Sequence, residues 1–339
     1  MLTIDGSTGE GGGQIFRTSL ALSLITGTSF RIHHIRQARA QPGLRPQHLA
    51  ALQAAAAVGE ADVDGAAVGA REIVFRPRRV RAGPYHFDVG TAGSTGLVLQ
   101  TVLLPLVMTR APSSLTLGGG THNTHAPPFD FLAEAFLPLI QRMGASVQAE
   151  LERAGFYPAG GGRVHVEIGE ARELSPLSLL ERGATRRRRA RAMVSRLSRQ
   201  IAERELAVIR SQLGWQADEL ETVVVSDAAG PGNILLLSIE SEHVTEVFTG
   251  FGELGVRAET VAERAVDDAR RYESARVPIG PYLADQLLLP LALAGGGAFR
   301  TMPLSLHATT NFEVIRRFLD VSIDVAHVSD TVVDVTVRR

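Results

Sequence analysis

The chain has no cysteine and no lysine. Without cysteine it can form no disulfide, no thiolate nucleophile and no cysteine-based zinc site. All 35 basic residues are arginine, which excludes a P-loop lysine, a Schiff base and lysine–adenylate chemistry. Long apolar runs are missing too. The longest, Leu97–Met108, is broken by Gln100 and Pro105 and is too short to span a bilayer. The opening MLTIDGSTGE lacks a basic stretch followed by an apolar core, so no secretory signal is expected; a cytoplasmic enzyme with no membrane partner is the default. Nor is there an excess of either charge: the net value is −1, so nucleic acid would have to meet a local patch, as at a strand end. With 339 residues, 45% of them hydrophobic, the chain has core enough for one large domain or two ordinary ones.

What the chain does have is glycine and arginine, concentrated in its first fifty residues. Gly9-Glu10-Gly11-Gly12-Gly13-Gln14 opens the apolar run Ile15–Ile25, and Ile35–His48 reads IRQARAQPGLRPQH. Glycines let backbone approach a ligand closely, and a helix over Ile15–Ile25 would place unpaired N–H groups beside them, where anions are favoured. Arg17 would then lie in the first helical turn. Arg36, Arg39 and Arg45, with Gln47 and His48, offer forked donors suited to phosphate oxygens. Glu10, a carboxylate among anion-seeking groups, suggests a divalent metal bridging to phosphate. The same residues could also make a plain helix-start turn and a solvated face; their adjacency favours a phosphate site.

Glycine turns recur along the chain. GEGGGQIFRTSLALSLITG and GTAGSTGLVLQTVLLPLVM each read as a turn followed by a helix, and GFYPAGGG leads into an alternating strand, Arg163–Ile168. This pattern indicates loosely repeated β-α-β-α-β-β units in an α/β (α+β) fold. From about residue 180 the character changes. Arg186–Val194 reads as a strand with arginines on one face; its Arg186–Arg189 run could touch nucleic acid but reads more simply as a solvated edge strand. Ser198 is a candidate N-cap for a helix over Arg199–Gln212, Val223–Val225 and Ile234–Ile239 read as strands, and a long amphipathic helix covers Ala258–Tyr272. Residues 181–275 are therefore expected to form a small inserted α/β domain, with 1–180 and 276–339 as the large catalytic one. His122 and His125 read as loop histidines at a pocket rim rather than metal ligands.

Near the C-terminus, GPYLADQ precedes an apolar helix at Leu287–Leu293, and SLHATTN precedes another at Phe312–Leu319. A histidine before a helix, among hydroxyl and amide side chains, is a candidate nucleophile, although such histidines more often have structural roles.

Taken together, DGSTGEGGGQIFR, IRQARAQPGLRPQHL, GTAGSTGLVLQTVLLPL, GGTHNTHAPPFDF, GFYPAGGG, AEREL, GPGN, YLADQLLLPLALAGGG and HATTNFEV resemble, in order and spacing, the bacterial-type RNA 3′-terminal phosphate cyclase family. The resemblance implies three repeated split β-α-β units, as in enolpyruvyl transferases, plus the inserted domain. It also implies a reaction in which histidine takes AMP from ATP, AMP passes to an RNA 3′-phosphate, and the 2′-OH displaces it to leave a 2′,3′-cyclic phosphate. On that resemblance His307 matches the nucleophile. Gln100, Pro128, Tyr282, Leu283, Ala284, Asp285 and Gln286 match the adenylate pocket, with Tyr282 and Pro128 on either side of the base. Arg17, Arg36, Arg39, Gln47 and His48 match the RNA-end cluster, and Glu10 matches the carboxylate associated with magnesium or manganese. ATP, a divalent cation and a 3′-phosphorylated RNA are the implied cofactors and partner, and a homodimer is left open. Two other readings are a non-catalytic RNA-processing relative, against which the intact His307 context argues, and an enolpyruvyl transferase, against which the missing lysines argue.

Overall fold

Three stretches of chain combine strands and glycine-led helices to one plan. In the computed structural model, which describes residues 1–170 and 172–339, the first stretch is β1 (Leu2–Asp5), α1 (Gly13–Thr26), β2 (Phe30–His33), α2 (Pro46–Val58), β3 (Asp62–Asp64) and β4 (Ile73–Arg76). Parallel β1 and β2 need a crossover, which α1 provides, and the antiparallel β3–β4 pair completes a sheet of order β1-β2-β4-β3. The second stretch repeats this with β5 (Pro84–Asp88), α3 (Thr95–Met108) and β6 (Ser113–Gly119). It continues through α4 (Phe129–Phe131), a π-helical turn at Leu132–Phe136 and α5 (Leu137–Arg142) to β7 (Val147–Arg153) and β8 (Gly162–Ile168). Its sheet order, β5-β6-β8-β7, is the same pattern.

The third stretch begins with β9 (Leu177–Leu179) and is then interrupted. The chain first makes β10 (Thr185–Ser195), α6 (Arg199–Leu213), β11 (Leu220–Val225), β12 (Gly232–Ser241), β13 (Thr245–Phe251) and α7 (Ala258–Ala275). It then returns through α8 (Pro281–Leu293), β14 (Gly296–Thr301), α9 (Leu306–Phe318), β15 (Ser322–Ser329) and β16 (Val332–Arg338), pairing β14 with β9 in the order β15-β16-β14-β9. The fold is thus three repeated split β-α-β units.

Helix α1 joins the units, packing on α2, α3 and α9. Ile15, Phe16, Leu20, Leu22 and Leu24 are all buried, the pattern of a helix apolar on most of its circumference, and it ends at Gly27 in the left-handed region. Among the described residues no helix is long and apolar enough to cross a membrane.

The sheet between β9 and α8 has order β11-β10-β12-β13. Its strand β10 is paired on both sides from Ala190 to Ser195, whereas Thr185–Arg189 pairs with β12 alone, so the Arg186–Arg189 run lies at an edge as expected. The arginines are, however, not a single solvated face. Arg188 lies over the Trp215 ring and pairs with Glu219, Arg189 pairs with Glu221, and Arg191 reaches Asp130 and Glu134. These carboxylates come from β11, the short turn before it, and the second unit, none of which a local pattern reveals. His122 is corrected as well. It is buried, its Nε2 is 2.8 Å from Asp130 Oδ2, and its ring stacks on Phe156, so it belongs to the anchor beneath β10, not to a rim. His125 is exposed.

Glu246 on β13 is fully buried and accepts the N–H of Gly280, where the chain turns into α8. Burial pushes its carboxyl up to about 8. Between its ordinary value and about 8 the folded protein holds a proton that the unfolded chain releases, so stability falls as pH rises through that window. Glu246→Gln keeps the acceptor and removes the ionisation. Thermal melts should show the variant more stable than wild type at pH 8, by at least about 2 °C, and nearly equal to it at the acid end of the window. Parallel melting curves would exclude this role for Glu246.

Candidate active site

The first turns of α1, α2, α8 and α9 meet at one point. Helix α1 starts at Gly13 after Gly12, with no side-chain cap and no acidic residue in its first turn, leaving its leading N–H groups for a ligand. Because the helix begins two residues earlier than its apolar run suggests, Arg17 lies in the second turn. Pro281 starts α8, and Ser305 caps α9 by accepting from Ala308 N. Tyr282, Asp285 and Gln286 therefore lie on α8, and His307 lies in the first turn of α9; the sequence reading placed all four before their helices.

His307 Nδ1 is 2.9 Å from Gln14 Oε1 and 3.1 Å from Glu10 Oε2. Gln14 in turn donates its Nε2 to Asp285 Oδ1 at 2.6 Å, and Asn311 Nδ2 donates to the same oxygen at 3.2 Å. An ionised carboxylate only accepts, so it faces the amide nitrogen of Gln14 and turns the amide oxygen to His307. That oxygen requires Nδ1 to carry the proton, which leaves the Nε2 lone pair unengaged. Burial lowers His307 from the ordinary histidine value, with Arg17 and Arg39 acting the same way and Asp285 opposing them. The ring is neutral at neutral pH, and its side chain is 54% exposed, open to a second reactant. Burial raises Asp285, against the pull of its Gln14 donor and of His307 and Arg17.

Glu10 sits on the turn before α1. Its N–H donates to Thr310 Oγ1 at 3.1 Å, and its carboxylate also pairs with Arg39. Gly9 adopts φ +57° against Thr310, with no space for a side chain. His48, at the third position of α2, packs on Gly13 beside Arg17 and accepts the Arg45 N–H at its Nδ1. Burial, reinforced by Arg17, Arg36 and Arg45, lowers it to about 3, so it is neutral. Arg36 spends one nitrogen on the Gln41 and Gly43 carbonyls and thereby shapes its own loop. Gln47 packs on Gly93 in the turn before α3. Burial lowers the Arg17 guanidinium, with Asp285 opposing.

From Asp285 the polar chain continues. Gln286 Nε2 is 3.3 Å from Asp285 Oδ2, and Gln100 on α3 donates to Gln286 Oε1. Pro128 is buried at the start of α4, in a loop lying on the first turn of α3, while Tyr282 is 62% exposed. Leu283 and Ala284 are buried in the core, so only their backbone could meet a ligand. The structure thus gathers Glu10, Arg17, Arg39, His48, Gln100, Asp285, Gln286 and His307 around a few helix starts. The sequence reading missed the roles of Gln14 and Thr310, whose positions next to the glycine turn and next to His307 were the available signal.

Comparison with known proteins bears on this site directly. The chain matches the family described as RNA 3′-terminal phosphate cyclase over residues 8–325. A protein of that name from Koribacter versatilis is 48% identical over 96% of this chain and 92% of its own. Those from Ectopseudomonas mendocina and Ralstonia nicotianae are 45% and 49% identical over 100% and 96% of this chain, and over 98% and 93% of theirs. The enolpyruvyl transferase NikO from Streptomyces tendae matches 50% of this chain and 33% of its own, at 14% identity and a TM-score of 0.29, too slight a likeness to argue from. Near full-length identity at this level leaves one conclusion: the chain belongs to the RNA 3′-terminal phosphate cyclase family.

Proposed function

We propose that this protein uses ATP to convert an RNA 3′-terminal phosphate into a 2′,3′-cyclic phosphate, with His307 as the nucleophile. The observation that supports this reading is the Asp285–Gln14–His307 relay, which protonates Nδ1 and frees Nε2. In the first step Nε2 attacks the α-phosphorus of ATP; an N–P bond forms, the bond to the bridging oxygen breaks, and pyrophosphate leaves. Gln14 and Glu10, already facing Nδ1–H, stabilise the charge that develops on the ring. In the second step an oxygen of the RNA 3′-phosphate attacks the same phosphorus and the imidazole leaves. In the third, the 2′-OH attacks the terminal phosphorus, loses its proton, and AMP departs.

The nucleotide would lie along α3 and α8, between Tyr282 and Pro128, with Gln100 and Gln286 toward the base and the free N–H groups of α1 and α8 toward phosphate. Arg17, Arg39 and His48, with Arg36 and Gln47 behind them, would receive the RNA end. A magnesium or manganese ion fits the donor set, since a hard cation on a triphosphate needs only one or two protein carboxylates, and Glu10 supplies one in exchange for its Arg39 pair. When bound, the ion neutralises triphosphate charge.

The direct test is to incubate a 3′-phosphorylated oligoribonucleotide with the protein, ATP and magnesium. The terminus should become resistant to phosphatase as AMP and pyrophosphate form in equal amounts. RNA bound but unchanged would favour the non-catalytic reading. Within this scheme Arg39→Ala should lower AMP transfer to RNA by about ten- to hundredfold, the worth of a charged hydrogen bond. Formation of the enzyme–AMP adduct should change little. Equal loss in both half-reactions, measured by single-turnover kinetics, would place Arg39 on ATP instead.

A further inference from the structure

We propose that Asp5, His33 and His34 form a surface site for a borderline transition-metal dication of the zinc type, separate from the reaction centre. Asp5 ends β1 and His33 ends β2, and the two are direct partners in the parallel pair, so their side chains share a face. The next residue along a strand would point to the opposite face. His34 does not, because its backbone turns into the left-handed region at φ 53°. Its Nδ1 comes to 3.0 Å from His33 Nδ1 and 3.2 Å from Asp5 Oδ1, while His33 Nδ1 and Asp5 Oδ1 are 3.9 Å apart.

These separations suit a metal. Ligands about 2.0–2.1 Å from a tetrahedral ion lie about 3.3–3.4 Å from each other, and the three distances straddle that value. Two imidazole nitrogens and one carboxylate oxygen select zinc, nickel or copper over magnesium or calcium. All three side chains are between 30% and 58% exposed, leaving the remaining coordination positions to water. Ser7 donates both its N–H and its hydroxyl to Asp5 Oδ1, at 2.9 and 2.7 Å, holding the oxygen that faces the two rings in place. Among the described residues the two histidine rings are the only basic side chains within 4.0 Å of the Asp5 carboxylate, whereas neighbouring Glu72 is occupied by two nitrogens of Arg31. A bound ion would clip the ends of β1 and β2 where the loop to Glu10 begins; that loop is tied to β2 by the Gly6 N–H, 2.8 Å from the His33 carbonyl.

The test is calorimetric titration of the full, tag-free chain with zinc chloride, set beside thermal melts with and without zinc. His33→Ala and His34→Asn are the variants, asparagine being chosen because it tolerates the left-handed conformation. Wild type should bind zinc at this site and melt at a higher temperature with it. Each variant should melt like wild type without zinc, bind at least about tenfold more weakly and lose the shift. His307→Ala should retain both. Unchanged zinc affinity in His33→Ala and His34→Asn, or loss of binding in His307→Ala instead, would overturn the site.

Discussion

The His307→Ala and His307→Asn proteins are expected to take up no label from ATP carrying it in the α-phosphate, and to form no cyclic phosphate. Removing a covalent nucleophile costs on the order of a millionfold when no neighbour can take over. Here none can, because the chain contains neither cysteine nor lysine. The bond chemistry sharpens the expectation. Label on wild type should be lost in acid and kept in alkali, as a histidine–phosphate bond requires. A carboxylate–AMP would be cleaved by hydroxylamine, and a serine or threonine ester would survive acid. Side-chain exposure of His307 at the start of α9 means that either substitution leaves no cavity, so the fold should be retained. His48→Ala should still become labelled, because His48 faces Gly13 and not the relay. Labelling should also rise with pH up to the point where the ring is neutral, a point that burial moves down from the ordinary histidine value. Full labelling of His307→Ala, or an acid-stable adduct, would refute the histidine mechanism.

The second large effect concerns the substrate. An oligoribonucleotide whose terminal residue has a 3′-phosphate but no 2′-OH should accept AMP and then stop, so that the adenylated end accumulates and no cyclic product forms. The hydroxyl acts from the same ribose, with an effective molarity that can reach about 10⁵–10⁸ M, and no dissolved nucleophile can substitute for it. AMP release should fall to the rate of slow hydrolysis, while pyrophosphate release continues until all ends are adenylated. Resolving the products by gel mobility separates the outcomes. A cyclisation-defective substrate that is never adenylated would mean that the 2′-OH is needed for binding, not only for the last step.

Much of this protein could be read locally. Glycine followed by an apolar run marks a helix start, alternation marks strands such as β8, and Ser198 does cap α6 by accepting from Gln200 N. The repeat is legible for the same reason: each unit carries its own turns and periods. Three helices begin ahead of their apolar runs: α1 at Gly13, α8 at Pro281 and α9 behind its Ser305 cap, and in the last two the proline and the serine are the local start signals. Other features have no local trace. Whether β10 lies at an edge depends on β11, whose first residue comes 25 positions after Ser195. His122 is buried because Asp130 and Phe156 close around it.

By itself the sequence determined the family, through that resemblance the count of three units, and the absence of any cysteine or lysine chemistry, because these rest on residue identity. Only the tertiary structure decided which nitrogen of His307 is free. That choice depends on Gln14 and Asp285, 293 and 22 residues away along the chain, meeting at the starts of three helices. A proton's position follows from hydrogen-bond direction, and direction exists only once the helices have packed.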